Sequence, residues 1–147
     1  MEKKISWKQV ADFSKDIADK IKKSKFKPDY LIGITVGGLI PLGLIAEKLD
    51  IRNVLTVSAG SYLGKVQGEL KVKYLPEINL KGKKILLIDE VAETGKTLKN
   101  LSQEIIEKYQ PSELRTAVLV FNKKDSKFLP NFIASETEDW VVFPWEK

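Results

Sequence analysis

KILLIDEVAETGKT, residues Lys84–Thr97, carries the strongest structural signal in this sequence. Four consecutive apolar residues, Ile85–Ile88, precede two acids and a turn that contains Thr94 and Gly95. An apolar run of this kind is typical of a central parallel strand that is covered on both faces. The pattern therefore predicts a buried strand with polar groups at its carboxyl end, followed by a helix over Thr97–Tyr109.

Weaker patterns on both sides of this strand alternate between helix and strand. They predict one helix that starts after Ser6 and runs to about Lys23 and another over Leu39–Leu49. Strands are predicted at Tyr30–Thr35, Val54–Ser58, Arg115–Phe121, Phe132–Ala134 and Val141–Phe143. The glycine-bearing segment Ala59–Glu69 is predicted to be a mobile loop, and Pro76–Lys84 a turn region. Alternating strands and helices predict an α/β fold with a central parallel sheet, flanking helices and right-handed crossovers.

The predicted turns locate the functional site. In a parallel α/β sheet, ligands bind beyond the carboxyl ends of the strands. Three turns follow predicted strands at that edge, namely Thr35–Gly38, Asp89–Thr97 and Phe121–Lys124. The site is therefore expected where these turns meet.

Composition narrows the chemistry available at this edge. The 147 residues suffice for one domain and include neither cysteine nor histidine, which excludes thiol and imidazole catalysis and zinc sites built from those residues. Acid–base catalysis must then come from carboxylates, lysine or tyrosine, and a metal would be an oxygen-bound ion such as Mg²⁺.

No apolar run reaches membrane-spanning length and no signal peptide is visible, so a cytoplasmic protein is expected. The net charge of +5 comes from scattered lysines without an arginine-rich stripe, which does not favour nucleic-acid binding.

The turn after the predicted central strand has the properties of a phosphate site. Unpaired N–H groups at a helix N-terminus attract phosphate, Gly95 allows close approach of the backbone, and Thr94 and Thr97 add hydroxyl donors. Asp89 and Glu90 can accept hydrogen bonds from ribose hydroxyls or hold Mg²⁺ through water. A purely structural alternative makes Thr94 a helix cap and Asp89 a strand-end charge, but it does not account for their joint occurrence. A P-loop is rejected because its first glycine would fall at position 90, which is glutamate.

An apolar strand, two acids and a Thr-Gly turn resemble the motif with which type I phosphoribosyltransferases bind 5-phosphoribosyl-1-pyrophosphate (PRPP). The resemblance extends over almost the whole chain and is greatest to the small bacterial and archaeal xanthine, guanine and hypoxanthine phosphoribosyltransferases. It rests on the segments LIGITVGGLIP (Leu31–Pro41), SY (Ser61–Tyr62), QGELKV (Gln67–Val72), FNKK (Phe121–Lys124) and DWVVFPWE (Asp139–Glu146). It implies the fold of that family, a central parallel sheet flanked by helices with a small hood formed from the terminal segments.

The resemblance also implies a reaction, in which the 5-phosphoribosyl group of PRPP is transferred to a 6-oxopurine base with Mg²⁺ as cofactor. The products would be a nucleoside 5′-monophosphate and pyrophosphate. PRPP or nucleotide binding is implied for Asp89, Glu90, Ala92, Glu93, Thr94, Gly95, Lys96, Thr97, Thr35, Val36, Gly37 and Gly38, and purine binding for Lys123, Trp140 and Val141. Glu93 would be the general base, Asp89 would contact the metal through ribose or water, and the protein would be a homodimer or homotetramer.

Departures from the family pattern leave a second function open. Glu93 stands where the family usually has aspartate, and the extra methylene moves the carboxylate by about an ångström, which can cost on the order of 10²-fold in rate. Val36 stands where relatives usually carry arginine or lysine, and Gly68 where a close bacterial pattern has arginine, so charge-assisted contacts are missing. The leading hypothesis is an active purine phosphoribosyltransferase, and the alternative is a non-catalytic PRPP or nucleotide sensor. Use of another base, such as a pyrimidine or adenine, is a third possibility.

Overall fold

The computed structural model of the chain describes residues 1–61 and 70–146. Its helices are α1 (Trp7–Ser24), α2 (Leu39–Leu49) and α3 (Lys96–Tyr109). Its strands are β1 (Glu2–Lys4), β2 (Tyr30–Thr35), β3 (Val54–Ser61), β4 (Leu70–Tyr74), β5 (Lys84–Ala92), β6 (Glu113–Asn122), β7 (Phe132–Thr137) and β8 (Trp140–Val142).

The main sheet has the strand order β4-β3-β2-β5-β6-β7. All neighbouring strands in it are parallel except β3 and β4, which pair antiparallel at one edge. After β2 the chain adds β3 on one side, and β5 then lies on the other side of β2. The strand order therefore reverses between β2 and β5, and such a switch point leaves a crevice at the carboxyl ends of the two strands. The predicted α/β fold with a central parallel sheet is confirmed.

Strand β5 lies at the centre of this sheet and separates two apolar layers. Leu86 and Ile88 pack with α1 and α2 on one face, while Ile85 and Leu87 pack with α3 on the other. All four side chains are at most 1% exposed. Since successive side chains of a strand point to opposite faces, a strand covered on both sides must be apolar throughout, as the sequence indicated.

Helix α1 is amphipathic and has a complete N-terminal cap. The Ser6 hydroxyl accepts a hydrogen bond from the Gln9 backbone N–H at 3.1 Å, and the Gln9 side chain accepts one from the Ser6 N–H at 2.9 Å. Val10, Ile17 and Ile21 are buried and belong to the core between α1, α2 and the sheet. In the described part of the chain, no helix combines the length and apolar character needed to cross a bilayer.

The two ends of the chain form a hood. Strand β1 pairs parallel with β8, and Ile5, Val141 and Phe143 are buried in the same core as α1 and α2. The predicted hood of terminal segments is confirmed. The sequence did not predict β1 or β4, and the predicted loop is wrong at Ala59–Ser61, which extend β3; residues 62–69 of that loop lie outside the described residues.

Candidate active site

The turn after β2 lies directly beside the acids at the end of β5. A Cβ atom at Gly37 would lie 1.4 Å from Glu90 Oε2, so only glycine lets the Glu90 carboxylate occupy this position. A Cβ at Gly38 would approach the backbone carbonyl oxygens of Ile34 and Ile88 to 2.6 and 2.8 Å. Two glycines therefore allow the turn to pack against both central strands, and they bring the predicted pyrophosphate turn next to the predicted ribose-binding acids.

The remaining residues of this turn differ in exposure. The peptide bond between Thr35 and Val36 is cis. The Thr35 hydroxyl lies 2.8 Å from the Ser58 hydroxyl at the neighbouring strand β3. Val36 is 76% exposed and contributes no charge, so the turn can offer an anion its backbone N–H groups and nearby hydroxyls rather than a cationic side chain.

The N-terminus of α3 follows the acids and has no side-chain cap. Its N-cap residue is Gly95, with a left-handed φ of 85° and no capping hydrogen bond, and no acidic residue occupies the first turn. The Thr94 hydroxyl accepts a long bond of 3.3 Å from the Lys96 N–H. Among the described residues the backbone N–H groups of Thr97 and Leu98 have no acceptor. These groups and the helix dipole create a site that favours an anion.

Residues of this stretch line one cleft of about 170 Å³. Its lining consists of Asp89, Glu90, Val91, Ala92, Glu93, Thr94, Gly95, Thr97 and Leu98. The predicted phosphate and ribose residues at the end of β5 and in the turn that follows it therefore share one cleft, with the exception of Lys96. That side chain lines a neighbouring cleft with Asp125 and Phe128.

The two adjacent acids differ in burial. Asp89 is 7% exposed, and its Oδ1 accepts a hydrogen bond from the Glu90 N–H at 2.9 Å. Burial raises the pKa of the Asp89 carboxyl well above its usual range, and the neighbouring Glu90 raises it further. A ligand that supplies hydroxyl donors or positive charge would relieve this unfavourable burial of charge.

The two carboxylate oxygens of Glu93 differ in their hydrogen bonding. Oε2 accepts a hydrogen bond from the side-chain amide of Asn122 at 3.1 Å. Oε1 is buried and has no hydrogen-bond partner among the described residues. Because an unpaired buried acceptor costs roughly 1–3 kcal/mol, this oxygen is typical of a site that a ligand completes.

The predicted purine residues lie after β6 and in β8, and none of them lines the cleft of Glu93. Lys123 follows β6, and its backbone N–H donates to the Thr137 carbonyl at 3.0 Å. Trp140 begins β8 and is 59% exposed. Val141 is buried in the hood core, so its side chain supports the hood and is not available to a ligand.

The sequence predicted that the turn after β6 meets the turn after β5, but it did not predict the contacts that Lys127 and Phe128 make there. The Lys127 N–H donates to the Thr94 carbonyl at 3.0 Å, and a Cβ at Gly95 would lie 2.6 Å from Phe128 Cβ. Asn122, which reaches Glu93, was also missed. The available signal was an asparagine at the end of an apolar strand followed by an aspartate at Asp125, a pattern typical of a side-chain-stabilised turn.

The reversal of strand order, the acidic pair and the uncapped helix end are typical of an α/β protein that binds a phosphate-bearing ligand at this edge of the sheet. The chain belongs to the phosphoribosyl transferase domain family, which it matches over residues 5–146.

Named relatives match most of the chain. It is 30% identical over 144 residues to the xanthine-guanine phosphoribosyltransferase of Desulfotalea psychrophila, covering 97% of this chain and 84% of that protein. The corresponding protein of Cereibacter sphaeroides is 29% identical, covering 97% and 85%. Among solved structures, the purine phosphoribosyltransferase from Pyrococcus horikoshii is 31% identical, with a TM-score of 0.87 over 99% of this chain and 95% of that one.

Proposed function

We propose that the protein is a PRPP-dependent purine phosphoribosyltransferase, which transfers the 5-phosphoribosyl group to guanine, hypoxanthine or xanthine. The products are a nucleoside 5′-monophosphate and pyrophosphate. The observation that carries this proposal is the cleft in which the uncapped N-terminus of α3 meets the carboxylates of Asp89 and Glu90. The proposal includes a single domain over residues 1–147, a cytoplasmic location and a homodimeric or homotetrameric assembly.

The cleft suits a sugar phosphate in one orientation. The N–H groups of Thr97 and Leu98, which have no acceptor among the described residues, would bind the 5′-phosphate together with the hydroxyls of Thr94 and Thr97. Asp89 and Glu90 would accept hydrogen bonds from the ribose hydroxyls, and a carboxylate is well suited to accept two donors at once. Placing the phosphate at α3 therefore directs the reacting C1′ of the ribose away from α3.

The turn Thr35–Gly38 would bind the pyrophosphate group of PRPP through its backbone N–H groups. Among the described residues no three acidic side chains gather into a metal site. One or two carboxylates beside substrate phosphates are, however, the usual setting for Mg²⁺, so Asp89 and Glu90 fit a metal that PRPP brings with it. When bound, Mg²⁺ would neutralise charge on the departing pyrophosphate. The chain itself would hold the ribose and the turn in place.

Transfer breaks the bond between C1′ and the pyrophosphate oxygen and forms a bond from C1′ to a purine nitrogen. Glu93 would accept the proton that the purine loses, since this residue lines the cleft and its Oε1 has no partner among the described residues. Lys123 would donate to the purine 6-oxygen, which favours oxopurines over adenine. Trp140 would stack on the base.

The direct test follows nucleotide formation from PRPP and Mg²⁺ with guanine, hypoxanthine, xanthine, adenine and uracil in turn. Turnover with at least one 6-oxopurine and little with adenine or uracil is expected. Turnover only with adenine or uracil would contradict the proposed base. Absence of any product alongside measurable PRPP binding would favour the second candidate, a non-catalytic sensor, for which the uncharged and exposed Val36 is the supporting observation.

Replacing Trp140 by alanine tests the base site. Stacking on an aromatic side chain is worth roughly 1–3 kcal/mol, so the KM for the base should rise roughly 5- to 100-fold while the KM for PRPP stays within about twofold. The matched control is Trp7→Ala, because Trp7 is similarly exposed at 56% and packs against Trp145 in the hood. Equal increases in both KM values for Trp140→Ala would contradict the stacking role.

A further inference from the structure

Asn122 is the last residue of β6 and is 1% exposed. Its Oδ1 accepts backbone N–H bonds from Lys124 and Asp125, both at 3.0 Å. Its Nδ2 donates to Glu93 Oε2 at 3.1 Å and, more weakly, to Asp125 Oδ2 at 3.4 Å. Both donors and both acceptor positions of the amide are therefore used.

These contacts determine which way the amide faces. The oxygen must point toward the two backbone N–H groups, because a nitrogen there would meet only donors. The nitrogen must then point toward the Glu93 carboxylate. A buried side chain with all of its hydrogen bonds made has one stable orientation, so the direction in which it holds Glu93 is also determined.

We propose that Asn122 is a positioning residue for the Glu93 carboxylate. By holding Oε2 it fixes the orientation of Oε1, which is buried, has no partner among the described residues and would accept the purine proton; this role rests on the proposed transferase function. The same amide closes the turn from Asn122 to Asp125, and Lys123 lies within that turn. One side chain therefore couples the carboxylate that would take the proton to the segment that would bind the base.

The turn is docked on the phosphate loop by further contacts that do not depend on Asn122. The Lys127 N–H donates to the Thr94 carbonyl, and Phe128 lies against Gly95. Removing the donor of Asn122 should therefore change the orientation of Glu93 more than the position of the phosphate loop. The expected signature is a loss in kcat with little change in the KM for PRPP.

Asn122→Asp separates positioning from turn formation. When it is ionised, the aspartate keeps an oxygen for the backbone N–H groups of Lys124 and Asp125 but cannot donate to Glu93. We expect kcat to fall about 10²-fold, the loss associated with a misplacement of about an ångström, with the KM for PRPP within about twofold. A role in the turn alone predicts wild-type kcat for this variant and would overturn the inference.

The matched control is Asn131→Asp, because Asn131 Oδ1 accepts a backbone N–H bond from Thr116 at 2.8 Å at the opposite end of β6. It carries the same change in charge and retains the acceptor, so kcat should be unchanged. A fall in kcat equal to that of Asn122→Asp would overturn the inference, since a change in charge alone would then suffice.

A double-variant cycle tests whether Asn122 acts through Glu93. In a Glu93→Ala background, Asn122→Asp should alter the residual kcat by less than about twofold, because there is no carboxylate left to position. A full 10²-fold loss in both backgrounds would mean that Asn122 acts independently of Glu93, and the inference would be wrong.

The contact can also be observed without turnover. The side-chain amide of Asn122 gives a pair of ¹⁵N–¹H NMR cross-peaks, identified by their loss in Asn122→Asp. Glu93→Ala should move these cross-peaks and accelerate their exchange with solvent. If the wild type turns over but the Asn122 cross-peaks do not respond to Glu93→Ala, the inference is overturned and the proposed function stands. The response without turnover on any base supports the hydrogen bond and overturns the proposed function instead.

Discussion

The N-termini of α1 and α3 differ in capping, because α1 is capped by side chains and α3 is not. At α1, Ser6 and Gln9 satisfy each other's backbone N–H groups with bonds of 3.1 and 2.9 Å. At α3 the N-cap is Gly95, without a side-chain hydrogen bond, and the N–H groups of Thr97 and Leu98 have no acceptor within the described residues. Helix α2, whose N-cap is Gly38, also lacks a side-chain cap and begins at the same edge of the sheet.

The difference separates a stabilising helix end from one that is available to a ligand. A capping side chain contributes roughly 1 kcal/mol relative to alanine but only a few tenths of a kcal/mol relative to glycine, so helices α2 and α3 forgo little stability. Glycine at those positions lets the backbone come close to its neighbours, and the uncapped N–H groups remain able to bind an anion. Changes at the cap of α1 should therefore affect stability alone, whereas changes at the N-terminus of α3 should affect ligand binding, with or without a loss of stability.

The largest effect is expected for Gly95→Ala. Its left-handed φ of 85° disfavours a side chain, and the new Cβ would lie 2.6 Å from Phe128 Cβ and 2.9 Å from the Phe128 backbone nitrogen. We expect the free energy of unfolding to fall by roughly 3 kcal/mol and the affinity for guanosine 5′-monophosphate to fall at least 100-fold. Chemical denaturation and calorimetric titration measure the two quantities.

Gly82→Ala is the matched control for that variant. Gly82 also has a left-handed φ of 75°, but a Cβ there would meet no atom within 4 Å. The substitution should cost about 1 kcal/mol of stability and leave the affinity unchanged. If Gly95→Ala bound the nucleotide as well as Gly82→Ala does, the assignment of the phosphate to the α3 N-terminus would be wrong.

An intermediate effect is expected for Asp89→Asn, which keeps an acceptor for the Glu90 N–H but removes a buried charge. Loss of a charged acceptor for the ribose hydroxyls should weaken PRPP binding about 10- to 100-fold. The free protein should nevertheless become more stable at neutral pH. The two effects have opposite signs because the charge that would serve the ligand is unfavourable in the empty cleft.

The pH dependence of the free energy of unfolding tests the predicted gain in stability for Asp89→Asn. The pKa of Asp89 is raised in the folded protein above its unfolded value of about 3.9, so the folded state binds the proton more tightly. The contribution of Asp89 to stability therefore falls as the pH rises from about 4 through the raised pKa. Urea denaturation should show a gain for Asp89→Asn that grows over that window, and a gain that shrinks with rising pH would contradict the burial argument.

The smallest effects are expected for one substitution at the N-terminus of α1 and one at the N-terminus of α3. Ser6→Ala removes a capping box and should cost about 1 kcal/mol of stability, with nucleotide affinity unchanged within about twofold. Thr94→Ala removes a hydroxyl whose bond to the Lys96 N–H is long, so stability should change by less than about 0.5 kcal/mol while affinity falls about fivefold. Thermal denaturation and titration of both variants should show this reversed pattern, and a uniform loss of stability would remove the distinction between the two ends.

The helices and the long strands were predictable because their signals are local. Ile85–Ile88 is apolar throughout and forms the fully covered strand β5, and Ser6 was recognised as the residue before α1. Strand β1 has the sequence EKK and gives no pattern, because its pairing with β8 depends on residues more than 130 positions away. The end of β3 was taken for a loop because Gly60 and Ser61 have low strand propensity, which the antiparallel partner β4 overrides.

Some features of the candidate site could likewise be predicted from local sequence, and others could not. Acids and a Thr-Gly turn after a buried strand are adjacent in the chain, so their meeting in one cleft could be inferred from their order alone. The approach of Gly37 to Glu90, the packing of Phe128 on Gly95 and the hydrogen bond from Asn122 to Glu93 could not. These contacts join residues from different loops. They depend on strand register and on differences of a few tenths of an ångström in packing distance, which no local pattern of residues encodes.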